Sequence, residues 1–125
     1  MMAPTSSARR LSTIGVTFYH FRNNTPCPIV KGKPDCTGVP LRTDSFIVHC
    51  HPSATVSCTN SADWASEARI TPTSFDMRQA PVARGFFVGD YEALAVAGNK
   101  FKPFFVQSGV TAGDPSDAFF VSVGP

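Results

Sequence analysis

Thr13-Ile14-Gly15-Val16-Thr17-Phe18-Tyr19-His20-Phe21 is a stretch in which apolar side chains alternate with small, polar or amphipathic ones. Ile14, Val16 and Phe18 fall on one side of this alternation, and the residues between them fall on the other. A period of two predicts a β-strand with two different faces. We therefore expect an all-β chain that includes this strand.

Five further strands are predicted downstream, because short apolar runs recur between segments rich in Gly, Pro, Ser and Asn. No window carries a capped helical stripe of apolar residues. Pro103 lies inside one predicted strand and lacks a backbone donor, so we expect a bulge or a sheet edge there. The downstream strands are expected at Asp44–Cys50, Glu67–Thr71, Glu92–Ala97, Phe101–Gln107 and Asp117–Val123.

The composition is that of a small globular domain. The 125 residues are 42% hydrophobic and 16% charged, with a net charge of +2. That charge is too small to imply a nucleic acid or an anionic membrane as partner. No apolar run approaches the roughly 18 residues of a membrane helix. Residues 1–12 are expected to be a flexible lead-in, without an intact signal peptide.

Four cysteines form two close pairs in the sequence, Cys27 with Cys36 and Cys50 with Cys58. An even number at short spacing indicates two local disulfides and an exported parent protein. Four reduced thiols in a cytosolic chain are the alternative. Four cysteines allow three pairings, and the sequence does not choose among them.

Four segments together resemble BNR-repeat, sialidase-like proteins of the exo-α-sialidase (neuraminidase) superfamily. The segment 85–95, GFFVGDYEALA, is similar to the family's G-[FY]-[FL]-x-G-D-Y-x-x-L-A run. Residues 15–23 resemble its G-V-x-[FY]-Y-D-x-R-N strand, with His20 in place of the aspartate, and residues 69–76 resemble its post-repeat strand and turn. The loop 57–64 resembles a degenerate Asp-box, S-x-D-x-G-x-T-W, which keeps Ser57 and Trp64.

The resemblance implies a partial β-propeller with antiparallel meander sheets, about two blades of a six-bladed ring. Residues 13–125 would be its C-terminal blades. Within them, 13–71 would supply strands two to four of one blade, and 90–123 would supply strands one to three of the last blade. The implied partners are the remaining propeller blades of a parent chain, which would be secreted or at the cell surface.

The resemblance also implies glycosidase chemistry. Sialidases use a tyrosine nucleophile, paired with a glutamate, together with an aspartic acid and three arginines that grip the substrate carboxylate. The candidate catalytic residues are Asp90, Tyr91 and Glu92, and the candidate substrate-binding residues are Arg22 and Arg84. In a strand, positions 90 and 92 share a face with Cα atoms about 6.5 Å apart. A purely structural Gly-Asp-Tyr turn and solvated or locally paired arginines are the alternatives.

Three function classes remain open. The first is the C-terminal fragment of a sialidase-like glycoside hydrolase that acts on terminal sugars of a glycan substrate and is inactive alone. The second is a non-catalytic propeller that binds glycans or proteins, and the third is a truncated reading-frame remnant.

No metal or cofactor is expected, because His49, Cys50 and His51 match no recognised ligand spacing and no nucleotide-binding motif occurs.

Overall fold

The structure is a computed structural model that describes residues 13–65, 67–89 and 92–124. The predicted lead-in and the candidates Asp90 and Tyr91 lie outside the described residues. The described chain is all-β with antiparallel pairing, as predicted, and its helical elements are two 3-10 turns, Ser61–Asp63 and Met77–Gln79. The strands are β1 (Ile14–His20), β2 (Ile29–Val30), β3 (Lys33–Pro34), β4 (Arg42–Cys50), β5 (Ala68–Arg69), β6 (Phe75–Asp76), β7 (Ala93–Ala97), β8 (Lys100–Ser108) and β9 (Ser116–Phe120).

The first sheet is organised around β4. β1 pairs along its whole length, with Phe18 opposite Phe46, and β5 pairs on the other side, with Arg69 opposite Phe46. β6 pairs with the start of β4. Because side chains alternate between faces, one face of β4 carries Ile47 into the core, while Phe46 points to the opposite face.

The second sheet is a meander in the order β7-β8-β9. Its central strand carries Phe101 and Phe105 on one face, both almost fully buried. These two rings pack with Ile47 and Ile70 of the first sheet to form the core cluster. The two sheets are therefore joined face to face by apolar side chains, which is the arrangement that buries one face of each.

Gly15 permits the close approach of β1 to the second sheet. A Cβ atom at this position would lie 2.7 Å from the Phe101 ring and 2.9 Å from Leu94. No side chain fits there without displacing the core. The glycine within the first predicted strand is thus explained by packing between the sheets.

Tyr19 adds a polar link between the two sheets. Its hydroxyl donates to the Val106 carbonyl at 2.7 Å and accepts from the Val106 N–H at 2.9 Å. The ring also packs edge-on against Phe75. One side chain of β1 thereby satisfies both backbone groups of a residue in β8.

The long connections gather at one end of the sheets, which we call the loop-bearing end. β1 and β5 run in the same direction, since both are antiparallel to β4. β8 runs alongside β1, because Gly15 approaches Phe101 while Tyr19 reaches Val106. The segments 21–41, 70–89 and 109–115, which follow β1, β5 and β8, therefore lie at the same end.

Both predicted disulfides are present. Cys27 bonds Cys36 within the connection that follows β1, and Cys50 bonds Cys58 in the loop between β4 and β5. Each closes a short loop, and such bonds form in an oxidising environment. Among the described residues, no helix is long and apolar enough to cross a bilayer.

Pro103 lies in the central strand β8 and not at a sheet edge. Its carbonyl accepts from Val121 at 3.4 Å, at the point where the regular β8–β9 pairing has ended and only an isolated Phe101–Val123 bridge follows. The missing donor therefore coincides with an interruption of the ladder. The expected bulge or edge is therefore absent at Pro103: the register that sets Phe104 opposite Phe120 continues to Phe101 opposite Val123, and the proline removes one hydrogen bond from the ladder.

Replacing Tyr19 by Phe tests the polar link. The variant leaves the Val106 N–H and C=O without their partner, so we expect a loss of about 1–3 kcal/mol in the free energy of unfolding. Urea denaturation at fixed protein concentration measures this loss. Val16→Thr on the exposed face of the same strand is the control and should change stability by less than about 0.5 kcal/mol. Equal effects of the two substitutions would contradict the proposed role of the hydroxyl.

Candidate functional site

A cleft of about 660 Å³ opens at the loop-bearing end. Its walls come from the connection after β1, the start of β4, and the segment from β5 to β6. Two arginines, two hydroxyl side chains and an amide face the same space. The lining residues are Asn23, Pro40, Arg42, Arg69, Pro72, Thr73, Ser74, Phe75 and Asp76.

The buried carboxylate of Asp44 holds these walls together. Asp44 is fully buried in β4, and Arg69 binds its Oδ1 through Nε at 2.8 Å and through Nη2 at 2.6 Å. Thr71 donates to the same oxygen at 2.8 Å. Oδ2 accepts from Ser74 at 2.8 Å and from the Asn23 amide at 2.7 Å. One side chain thus fixes groups from three separate segments.

The hydrogen bonds keep Asp44 ionised. Burial by itself raises the pKa of a carboxyl group, but the hydrogen bonds from Asn23, Ser74, Thr71 and Arg69 outweigh it and hold the pKa of Asp44 below its ordinary value. The charge of Arg69 is therefore balanced inside the protein. Arg69 contributes a fixed donor surface to the cleft rather than a free positive charge.

Arg42 supplies the positive charge that is not balanced in this way. Its backbone N–H donates to the Asn24 amide oxygen at 3.2 Å, which holds the start of β4 against the preceding connection. Within the described part of the chain, the ion pairs involve Arg22 and Arg69 but not Arg42. A guanidinium group with its planar set of donors is suited to a carboxylate, sulfate or phosphate oxyanion.

The carboxylate of Asp76, on the same cleft, is committed to the backbone. Its Oδ1 accepts from the Leu41 N–H at 2.8 Å and from the Arg78 N–H at 3.0 Å, so that it caps the 3-10 turn that follows. This contact ties the connection after β1 to the connection after β5. The charge balance of the cleft thus rests on two arginines and two acids, each acid held by internal donors.

Of the predicted catalytic residues, Glu92 is the one that the structure describes. It lies just before β7, and desolvation beside Tyr19 raises the pKa of the Glu92 carboxyl. Burial, assisted by Glu92, also raises the pKa of Tyr19 to about 12, against the lowering effect of its hydrogen bond to Val106. The shift of Glu92 is in the direction that favours its protonated form, while Tyr19 stays neutral.

The two predicted arginines lie away from the cleft lining. Arg22 forms an ion pair with Glu67, and its Cζ atom lies 4.1 Å from the centre of the Phe46 ring, on the face opposite the core. Arg84 occupies an exposed turn with a positive φ of 63°, inside the short bridge between Val82 and Phe86. The structure therefore places these residues at separate positions, and their role in substrate binding stays a prediction.

The histidines beside Cys50 form an aromatic pair. The rings of His49 and His51 lie 5.0 Å apart, and His49 also packs near Phe101. Burial and the neighbouring His51 lower the pKa of His49. Cys50 is in a disulfide, and the described residues contain no group of three or more His, Cys, Asp or Glu side chains arranged for a metal ion.

The degenerate Asp-box loop is ordered by local contacts in the β4–β5 connection. The Trp64 indole N–H donates to the Cys58 carbonyl at 3.2 Å, and the hydroxyls of Ser57 and Thr59 are 2.7 Å apart. The two residues that match the Asp-box pattern thus hold the loop. They face neither the cleft nor its network.

The cleft itself was not predicted. The sequence predicted Asp44 as the first residue of a strand, but β4 begins at Arg42, so Asp44 lies inside the strand and is buried. A buried acid requires partners, but the sequence does not identify those partners.

Comparisons with protein-family models, with curated proteins and with solved structures found no match to this chain.

Replacing Asp44 by Asn tests whether this carboxylate holds the cleft. The amide offers one acceptor oxygen to donors that now share two, so we expect a loss of at least about 2 kcal/mol in the free energy of unfolding at neutral pH. Asp35→Asn is the matched control, because Asp35 lies near the surface and its Oδ1 accepts only from Thr37, a role that an Asn oxygen can fill.

The same variant has an expected pH signature. The folded state binds the Asp44 proton more weakly than the unfolded state, so this contribution is present above about pH 4 and is lost as the pH falls through the lower folded-state pKa. The stability of Asp44→Asn should therefore depend less on pH in this acidic range. Parallel pH profiles of the variant and the native chain would contradict this role.

Proposed function

We propose that this chain forms two neighbouring blades of a sialidase-like β-propeller and that the cleft at its loop-bearing end binds the acid group of a terminal sugar. The observation that carries the proposal is the placement of Arg42 beside the Asp44–Arg69 network. The parent protein would be a glycoside hydrolase that acts on glycans, and this chain alone would be inactive.

Two outer sheet faces support the propeller part of the proposal. The face of β7-β8-β9 that points away from the core carries Phe104, which is 42% exposed, opposite Phe120, which is 72% exposed. The outer face of β1 carries Ile14 and Val16, which are 42% and 44% exposed. A two-sheet sandwich would have polar outer faces, whereas a propeller blade has neighbours on both sides. Further blades would cover these apolar faces.

The strand order supports the same proposal. The first sheet has the order β1-β4-β5, with β6 also paired to β4, and the second has the order β7-β8-β9. A propeller blade is a sheet of four antiparallel strands, so each of these three-strand paths would be a blade that lacks one strand. β1, β4 and β5 would be strands two, three and four of one blade, with the degenerate Asp-box between the outer two. β7, β8 and β9 would be strands one, two and three of the last blade.

The chemistry of the cleft supports an acidic ligand. Arg42 supplies a positive charge, and Arg69 supplies donors that are already oriented by Asp44. Thr73 adds a hydroxyl group of the kind that binds sugar hydroxyls, whereas the hydroxyl of Ser74 already donates to Asp44. Donors that are already held in place favour binding of an oxyanion, because few side chains have to be ordered when the ligand binds.

Hydrolysis would require groups at the start of β7. Desolvation raises the pKa of the Glu92 carboxyl, which is the direction of shift that a general acid requires. By family resemblance, Tyr91 would be the nucleophile and Asp90 the second acid, and both lie outside the described residues. The arginines of a carboxylate grip would be completed by the parent chain.

A non-catalytic glycan-binding propeller is the second candidate. It is favoured by the commitment of Tyr19, Asp44 and Arg22 to internal contacts, which leaves binding groups but few reactive ones in the described residues. Translation of the DNA upstream of Met1 in frame separates both candidates from a reading-frame remnant, because only the first two require further blades.

The exposed faces lead to a prediction about association. Expressed alone, the chain should be oligomeric or poorly soluble, because two apolar sheet faces and unpaired strand edges remain uncovered. The double variant Phe104→Ser/Phe120→Ser should shift the distribution toward smaller species in size-exclusion chromatography with light scattering. Val82→Ser, at an exposed residue of the connecting segment, is the control. A monodisperse native monomer with a cooperative melt would contradict the partial-propeller proposal.

Ligand binding tests the cleft directly. The chain should bind the methyl α-glycoside of sialic acid in preference to neutral methyl β-galactoside, as measured by saturation-transfer NMR. Arg42→Ala should weaken this binding at least about tenfold, since it removes a charge-assisted contact. Lys100→Ala, at the start of β8 and at the opposite end of the sheets, should leave it unchanged.

The outcomes separate the candidate functions. Equal binding of the acidic and neutral sugars, or no effect of Arg42→Ala, would exclude the cleft as the acid-binding site. If binding is found, turnover of a fluorogenic sialoside by the parent protein indicates the hydrolase. Binding without turnover indicates the non-catalytic module.

A further inference from the structure

A small hairpin projects from the loop-bearing end. β2 and β3 pair within the 21–41 connection, and every residue from 28 to 34 is exposed. Ile29 is 67% exposed and Val30 is 47% exposed. Two large apolar side chains at the tip of a hairpin pack against none of the core, and Lys31 and Lys33 lie beside them.

The base of this hairpin is held firmly. The disulfide between Cys27 and Cys36 closes it, and the Asp35 N–H donates to the Pro28 carbonyl at 2.8 Å. The Arg78 guanidinium reaches across from the connection after β5 and donates to the carbonyls of Cys36 and Val39. The disulfide and the Arg78 hydrogen bonds therefore fix the base of the hairpin, while the residues of its tip stay exposed.

The turn at the tip places a positive charge at its outermost point. Lys31 and Gly32 both have positive φ, 51° and 77°. Two such residues form the tight turn that suits a two-residue hairpin, and Asn-Gly is the common choice because a lysine rarely adopts that backbone conformation. The turn therefore presents the Lys31 side chain at the exposed tip of the hairpin.

We propose that the β2–β3 hairpin docks this protein on an anionic lipid bilayer. Ile29 and Val30 would enter the interfacial region, and Lys31 and Lys33 would bind the anionic headgroups. Apolar side chains flanked by lysines are the combination that binds such surfaces, because burial of apolar area and attraction of headgroups add together. We do not expect a strand of another protein to be the partner of the hairpin, because β2 and β3, with two residues each, offer too few backbone groups for pairing.

The position of the hairpin gives the docking a direction. The connection that carries the hairpin also contributes Asn23 and Pro40 to the cleft. Docking would therefore turn the loop-bearing end toward the lipid surface. The inference rests on the hairpin alone and does not depend on whether the cleft binds a sugar.

Vesicle flotation tests the docking, since aggregated protein sinks whereas lipid-bound protein rises. The full chain with intact disulfides is mixed with vesicles of phosphatidylcholine alone or with 30 mol% phosphatidylserine. We expect flotation with the anionic vesicles, less of it with neutral vesicles, and a decrease as salt is raised from ~0.05 to ~0.5 M.

Matched variants assign the binding to the hairpin. Lys33→Glu should weaken binding to the anionic vesicles at least about fivefold, because the attraction of one lysine to an anionic surface contributes about that factor. Lys100→Glu, an exposed lysine at the other end of the sheets, should change it by less than about twofold. Ile29→Ser/Val30→Ser should weaken it at least about tenfold. Each of these side chains is exposed, so all variants should keep the native unfolding midpoint.

Three results would overturn the proposal. One is the absence of flotation with either vesicle. Another is equal flotation with neutral and anionic vesicles, which would assign binding to the uncovered sheet faces. The third is flotation that Lys33→Glu and Ile29→Ser/Val30→Ser leave unchanged, which would assign it to another part of the chain.

Discussion

The buried carboxylate of Asp44 is the constraint on which the loop-bearing end depends. An ionised acid inside a protein is costly unless donors surround it, and here four side chains supply them from β5, from the segment after β5 and from the connection after β1. The segment after β5 buries Phe75 and Met77, whereas the connection after β1 is exposed along most of its length. The carboxylate therefore joins this exposed connection to a segment that apolar packing already holds.

The same interaction sets the electrostatic character of the cleft. Asp44 neutralises Arg69, and the backbone donors of Leu41 and Arg78 hold Asp76. Arg42 is then the cation without an ion-pair partner in the described cleft, although the formal charges of the two arginines and two acids sum to zero. Such a site favours one small oxyanion that Arg42 can bind directly, because a polyanion would also meet the carboxylate of Asp76 and a neutral group would leave the guanidinium unpaired.

The predictable part of the molecule is the part governed by local pattern. Alternation placed β1, β4 and β8 within about two residues of their observed bounds, and the short cysteine spacings indicated both disulfides. The cleft could not be predicted, because its partners are up to thirty residues apart and a buried Asp does not specify which Arg or Ser will reach it. Likewise, the sequence gives no reason for a glycine within β1, because that reason is the close approach of Phe101 from the second sheet.

The outer faces of the two sheets differ in chemical character from the loop-bearing end. Apolar outer faces are tolerable only where something covers them, whereas the loop-bearing end carries charges and polar groups that favour water or a polar ligand. Phe104 and Phe120 lie on a regular sheet and suit flat packing against another sheet, while the hairpin and the cleft walls are built from irregular connections. Because assembly surfaces and binding surfaces occupy separate parts of the fold, covering the faces with further blades would leave the cleft and the hairpin accessible. The proposed functions of this chain are therefore compatible with one another in a single propeller.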